Sequence, residues 1–179
     1  MGRELQTDRL LLRRWIASDR RPFAALNADP IVMEFFPQTL SQTESDAFAD
    51  RIEEDFDKHG FGLWAVELKS TGEFVGYVGL WSATFEAHFT PAIEVGWRIA
   101  HRFWGSGLAP EAASCAMTDG FDRLGIDEIV SFTSAINLKS RRVMEKIGMV
   151  HDPADDFEHP SVPTTSLLRP HVLYRIGRA

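Results

Sequence analysis

Glu94-Val95-Gly96-Trp97-Arg98-Ile99-Ala100-His101-Arg102-Phe103-Trp104-Gly105-Ser106-Gly107 is the stretch on which the reading of this chain turns. It predicts a strand over 92–100 that runs into a tight glycine turn. The turn opens a helix over 107–124, with Ala112, Ala113, Ala116, Met117, Gly120, Phe121 and Leu124 along one side and Gly125 ending it. Backbone N–H groups at such a turn point the same way, and the helix N-terminus adds positive potential, so the turn suits a diphosphate. Glycine at 105 and 107 lets the main chain approach a ligand with no Cβ in the way. Taken alone, glycines between strand and helix are also ordinary turn chemistry.

Upstream, Leu10–Trp15 predicts a first strand with its arginines facing solvent. A short helix near 19–28 follows, capped by Ser18-Asp19 with Pro22 in its first turn, and Asp29-Pro30 breaks it. Ser41-Gln42-Thr43-Glu44 is a capping box. Behind it Phe48, Ile52 and Phe56 recur every four residues as one apolar helical face, and Gly60 stands where a C-terminal glycine belongs. The β-rich runs 61–69 and 73–81 flank Ser70-Thr71-Gly72, a hairpin with a three-residue turn.

Downstream, the pattern predicts a strand over 128–134, a helix over 137–147 and a final strand over 172–176. The four prolines of 152–170 make that segment an extended loop. A hairpin first and strand–helix–strand–helix later means an α/β, or α+β, mixed sheet with helices on it.

With 179 residues and no linker or repeat, residues 1–179 form a single domain. A hydrophobic share of 44% against 25% charged is the balance of a folded soluble protein. The net charge of −7 works against nucleic-acid phosphates and mildly favours amines. No run approaches the ~20 apolar residues that span a bilayer, and the N-terminus lacks the character of a secretory signal. A cytoplasmic location is therefore expected, with neither nucleic acid nor membrane as partner. Cys115, the only cysteine, sits in a run of small residues and reads as a small buried hydrophobe. The six histidines are scattered without a His-Glu-x-x-His pattern or cysteine partners, so no metal site is expected.

Pro110 excludes the dinucleotide fingerprint, and no Gly-Lys-Ser/Thr follows to make a P-loop. What remains, Arg102-x-x-Gly105-x-Gly107 after a strand, resembles the Arg/Gln-x-x-Gly-x-Gly/Ala pyrophosphate loop of the GNAT acetyltransferase superfamily. A second segment makes the likeness specific. Asn137-Leu138-Lys139-Ser140-Arg141-Arg142-Val143-Met144-Glu145-Lys146-Ile147-Gly148-Met149 is similar to that family's late helix. Thr7–Arg13 and the end of the chain, 156–160 and 168–175, resemble the RimJ/RimL-like branch.

The resemblance implies a mixed, mostly antiparallel central sheet of about six to seven strands, with helices on both faces and a splayed central strand pair. It implies transfer of an acetyl group from acetyl-CoA to a primary amine by direct attack in a ternary complex, in a monomer or homodimer. The acceptor would be a protein N-terminus, an amino acid or another small amine. The N–H near Ile99 would hold the acetyl carbonyl, and the adjacent main chain would pair with the pantetheine arm. Amides of Arg102, Phe103, Trp104, Gly105, Ser106 and Gly107 would cradle the diphosphate. Asn137 and Ser140, one helical turn apart on one face, would reach the pantetheine and the sulfur.

The chemistry needs a neutral amine, a donor at the carbonyl oxygen and a proton or hydrogen bond for the leaving thiolate. Glu94 is the candidate for steering the amine proton away; the plainer role is a structural carboxylate paired with Arg98 or another base. Ser140 is the candidate donor to the thiolate, or only a cofactor-positioning residue. Many family members carry a tyrosine four residues further on, where this chain has Met144. Phe35, before Phe36-Pro37, borders the implied acceptor pocket or packs in the core. His88 lies in a loop beside that pocket, as an acceptor contact or a surface residue. A non-catalytic acyl-CoA-binding regulatory module with the same fold is the alternative reading of these residues.

Overall fold

The computed structural model describes residues 4–178. Strands β1 (Leu5–Gln6), β2 (Leu10–Arg13), β3 (Leu63–Leu68), β4 (Glu73–Ala83) and β5 (Ala92–Ile99) pair antiparallel in chain order. β6 (Glu128–Ser134) joins β5 in parallel, and β9 (Pro170–Gly177) runs antiparallel to β6. The two-residue strands β7 (Val150–His151) and β8 (Phe157–Glu158) both pair with β9. Six strands have four or more residues, and the sheet is mixed and mostly antiparallel, as expected.

Helices cover both faces. Alternation along β4 sends Tyr77 and Trp81 to one face and Leu80 to the other. On the first face lie α1 (Arg20–Ala28) and α2 (Gln42–His59): Phe23 and Phe48 meet the Tyr77 ring edge-on at 6.0 and 5.9 Å. On the second lies α3 (Leu108–Asp122), whose Gly120 passes so close to Leu80 that a Cβ would sit 2.8 Å from its Cδ1. α4 (Leu138–Lys146) shares that face, since Arg141 reaches the hydroxyl of Tyr174 on β9.

Local chemistry accounts for the ends of these elements. Ser41 and Glu44 exchange the two hydrogen bonds of a capping box, and Gly60 closes α2 at φ 73°. Arg13 departs from expectation: it does not face solvent but is buried, with its guanidinium on both oxygens of Asp19 at 2.7 and 2.9 Å and Nε on Glu67 at 2.9 Å. The β2–β3 ladder brings Glu67 beside it, a neighbour 54 residues away. The 152–170 segment is not wholly loop, because β8 zips onto the extended last strand. Cys115 is only partly buried, its sulfur 3.8 Å from the Gln6 carbonyl.

Candidate active site

β5 and β6 share a single register pair, Glu94 opposite Val130, and part beyond it. Parting strands leave main-chain groups unpaired, and the alternation of an antiparallel ladder says which ones. The Ala100 amide donates to Val75 at 2.9 Å and Ile99 stands opposite Gly76, so the Ile99 N–H points away from β4 into the gap. A cleft of about 730 Å³ occupies that gap, lined by Glu94, Ile99, Trp104, Asn137 and Ser140 among others.

At one end of the cleft the chain turns into α3. A short 3-10 turn at His101–Phe103 consumes two amides, Phe103 donating to Ala100 and Trp104 to His101. Those two are therefore not available to a diphosphate, which narrows the cradle expected over 102–107. The amides of Gly105, Ser106, Gly107 and Leu108 make no hydrogen bond among the described residues. Gly105 (φ 77°) and Gly107 (φ 79°) curl this run into a concave set of donors at a helix N-terminus. A Cβ on Gly105 would meet nothing within 4 Å, so the space in front of the turn is open.

The turn is braced from behind. Arg9 donates to the Ser106 carbonyl at 2.9 Å and to Glu111 at 2.7 Å, and the Trp104 indole holds the Ile99 carbonyl at 2.7 Å. The Ser106 hydroxyl folds back onto the Phe103 carbonyl. Arg102 turns its side chain out to Glu73 and over the Phe103 ring, away from the cleft lining.

Asn137 is not on the helix with Ser140 but caps it. Its side-chain oxygen accepts the Ser140 amide at 3.2 Å, and its Nδ2 donates to Thr133 Oγ1 at 3.0 Å and to Ser140 Oγ at 3.1 Å. With Ser140 Oγ already accepting, its own proton is left to donate into the cleft. Met144, where a tyrosine is frequent in the resembled family, is 1% exposed and fills core.

Glu94, Gly96 and Arg98 alternate onto the face that carries α1 and α2, opposite the face that carries α3. The Glu94 carboxylate lies over Gly96, its Oε1 3.6 Å from where a Cβ would stand. It makes no hydrogen bond or ion pair among the described residues, and burial alone pushes its pKa up to about 8. The alternative reading, a structural pairing with Arg98 or another base, does not hold among the described residues, and Arg98 turns instead to Asn27 and the Phe36 ring.

Phe35 lines the cleft. His88 does not: its ring sits 3.3 Å from Asp155 on the exposed side of its loop. Two other histidines reach the cleft. His159 accepts the Ser161 amide at Nδ1, and His171 sets Nδ1 against the Arg169 carbonyl at 3.0 Å. Burial lowers the pKa of both, that of His159 to about 4, so the His159 imidazole is neutral at pH 7. With Phe85, Phe132 and Phe157 they form a contiguous aromatic wall, His159 lying 4.6 Å from Phe85 and 4.9 Å from His171.

Residues 9–150 match the family described as the acetyltransferase (GNAT) domain. The chain belongs to the GNAT acetyltransferases. Over 147 residues it is 32% identical to YkkB of Bacillus subtilis (strain 168), covering 82% of this chain and 84% of that one. Over 96 residues it is 35% identical to an FsC-acetyl coenzyme A-N(2)-transacetylase of Aspergillus fumigatus, covering 51% of this chain and 40% of that one. It shares its fold with RimL, the ribosomal L7/L12 alpha-N-protein acetyltransferase, at TM-score 0.79 and 15% identity with 98% of each chain covered. The chain shares the fold of RimL, and its family makes it an acyltransferase.

In this GNAT domain the sequence motifs mark the α3 side of the cleft and leave most of its other side unmarked. Arg98, Tyr77, His159 and His171 all line the cleft, and no motif marked them as functional. Their neighbours are residues such as Asn27 and Phe85, brought in from other elements. Strand alternation from Glu94 could have flagged Arg98, two pleats further along the same face.

Proposed function

We propose that this protein is an acetyl-CoA-dependent N-acetyltransferase of primary amines, working by direct attack in a ternary complex within one domain. One arrangement carries the proposal: a through-sheet gap with free donors of α3 on one face and an unpaired Glu94 on the other. Coenzyme A fits the first side. Unpaired main-chain N–H groups around Gly105 suit a diphosphate, and the free edges of β5 and β6 suit an extended amide arm. The Aspergillus relative, named for acetyl transfer from coenzyme A to a nitrogen, supports this chemistry.

The chain's own residues then divide the work. The Ile99 N–H donates to the acetyl oxygen as negative charge develops there. Glu94, half ionised at about pH 8, takes in its ionised form the proton from an arriving ammonium, directly or through water, and leaves a neutral nucleophile. The Ser140 hydroxyl donates to the departing sulfur. Holding both reactants across one gap supplies much of the remaining acceleration.

A melting assay with acetyl-CoA and a thiol-release assay with a mixed amine panel test this together. At ~100 times its dissociation constant the ligand should add about 2.7 kcal/mol of apparent stability. No melting shift at millimolar acetyl-CoA sinks the cofactor assignment. A shift without thiol release from any amine sinks the transfer reaction.

A further inference from the structure

Arg98 carries a charge the protein does not balance. It is 7% exposed, and no carboxylate among the described residues pairs with it. Among the described residues its one hydrogen-bond partner is the neutral side-chain oxygen of Asn27, and its Nε has none. Arg13, buried to the same degree, has Asp19 and Glu67. A buried ion without a countercharge is costly, so a lone guanidinium beside a cleft calls for an anion from outside the chain.

The guanidinium is also held in readiness. Asn27 Nδ2 donates to the buried Ser45 hydroxyl at 2.8 Å, which fixes the amide so that its oxygen faces Arg98. Phe36 lies 4.2 Å from the guanidinium carbon and Tyr77 5.4 Å, so the planar group is clamped between rings. Tyr77, directly opposite on β4, has a hydroxyl with no hydrogen bond among the described residues and also lines the cleft.

The face decides which ligand brings the anion. The free amides that suit a diphosphate belong to the α3 side of the sheet, and Arg98 projects to the α1–α2 side. The anion therefore belongs to the acceptor. On the acceptor face Gly96 lies between Glu94 and Arg98, and the Glu94 carboxylate leans over it. Positions 94 and 98 are roughly 13 Å apart at ~3.3 Å per residue, and the Glu94 side chain reaching over Gly96 shortens that span.

We propose that Arg98 is the specificity-determining residue of the acceptor pocket, and that the amine acetylated here carries a carboxylate. This rests on the acetyl-transfer reading above and names its substrate class. With Nη1 engaged by Asn27, the guanidinium has Nη2 left to donate to the carboxylate, and the acceptor's ammonium points back toward Glu94. The class comprises α-amino acids and short ω-amino acids with a free amino group.

The test uses matched acceptors: an α-amino acid, its carboxamide and its decarboxylated amine, each with a small, an aliphatic and an aromatic side chain, and β-alanine against propylamine. Binding to the coenzyme A-saturated protein is measured by calorimetry, and turnover by thiol release. Wild-type protein should bind and turn over at least one carboxylate-bearing acceptor about 10–100-fold better than its carboxamide, the range expected for hydrogen bonds to a charged group. Arg98→Met should bring that ratio near unity, and Arg98→Lys should restore part of it. Indifference of the wild-type protein to the carboxylate, or a preference against it, overturns the inference and leaves acetyl transfer standing; that comparison needs no variant to fold. If no amine is turned over, transfer fails instead. Calorimetry then decides alone, carboxylate-dependent binding lost in Arg98→Met upholding the role of Arg98 and equal binding across the series refuting it.

Discussion

Glu94→Gln isolates the proton-handling step. The change keeps the shape of the side chain, and because the carboxylate has no internal partner it breaks no hydrogen bond or ion pair. A carboxyl with a pKa of about 8 is roughly one-tenth ionised at pH 7 and nine-tenths at pH 9. If the ionised form is the base, kcat/KM of the wild-type enzyme should climb about tenfold across that interval from this group alone. The variant should lose roughly 10²–10⁴-fold in turnover near neutral pH.

The amine titrates too, so the profile must be taken with two acceptors of different basicity. A bend that moves with the acceptor belongs to the amine, and a bend that stays near pH 8 and vanishes in Glu94→Gln belongs to Glu94. Stability offers an independent check. A carboxyl pKa raised in the folded state stabilises the fold below its unfolded value, and that contribution is lost as pH rises through about 8. The variant should therefore gain on the wild type across that window in urea titrations. A variant with the wild-type rate and the same bend near pH 8 would remove Glu94 from the chemistry.

Ser140→Ala should slow turnover with little recovery at high pH, and it should cost more with acetyl-CoA than with a thioester whose thiolate leaves easily. Equal losses with both thioesters would place Ser140 in positioning alone. Gly105→Val adds a Cβ where the protein has open space but forces a branched residue to φ 77°, so it should cost about 1–2 kcal/mol in stability. It should also weaken coenzyme A binding by at least about tenfold, since the Cβ stands in front of the anion cradle, and calorimetry showing unchanged affinity would make the turn merely structural. Asp19→Ala leaves the buried Arg13 with Glu67 as its one carboxylate among the described residues and should destabilise the fold by about 1–3 kcal/mol in denaturant titrations. A loss under 1 kcal/mol would mean that Glu67 carries that charge unaided.

The sequence by itself determined what depends on neighbours along the chain. The capping box at Ser41–Glu44, the glycine stop at Gly60, the strand–turn–helix through Gly105 and the 137–147 helix all formed within a few residues of expectation. Each is governed by backbone conformation and hydrogen bonds that span one turn. Even there, the fate of single groups was hidden: whether the amides of Phe103 and Trp104 are free depends on a 3-10 turn that the glycine spacing does not encode.

The α1–α2 side of the cleft was decided by tertiary structure. Whether Glu94 meets Arg98 could not be read from their spacing, because the answer lies in Asn27, Phe36 and Tyr77, which compete for the guanidinium from three other parts of the chain. The sequence suggested solvent for Arg13, and the β2–β3 ladder gave it Glu67 instead. His159 and His171 are ordinary residues in a proline-rich stretch until β8 zips onto β9 and presses them against Phe85 and Phe132. A side chain's charge, proton affinity and freedom to bind are set by what surrounds it in space. For these residues the surroundings come from sheet register and loop closure across tens of residues, over which no periodicity in the sequence runs.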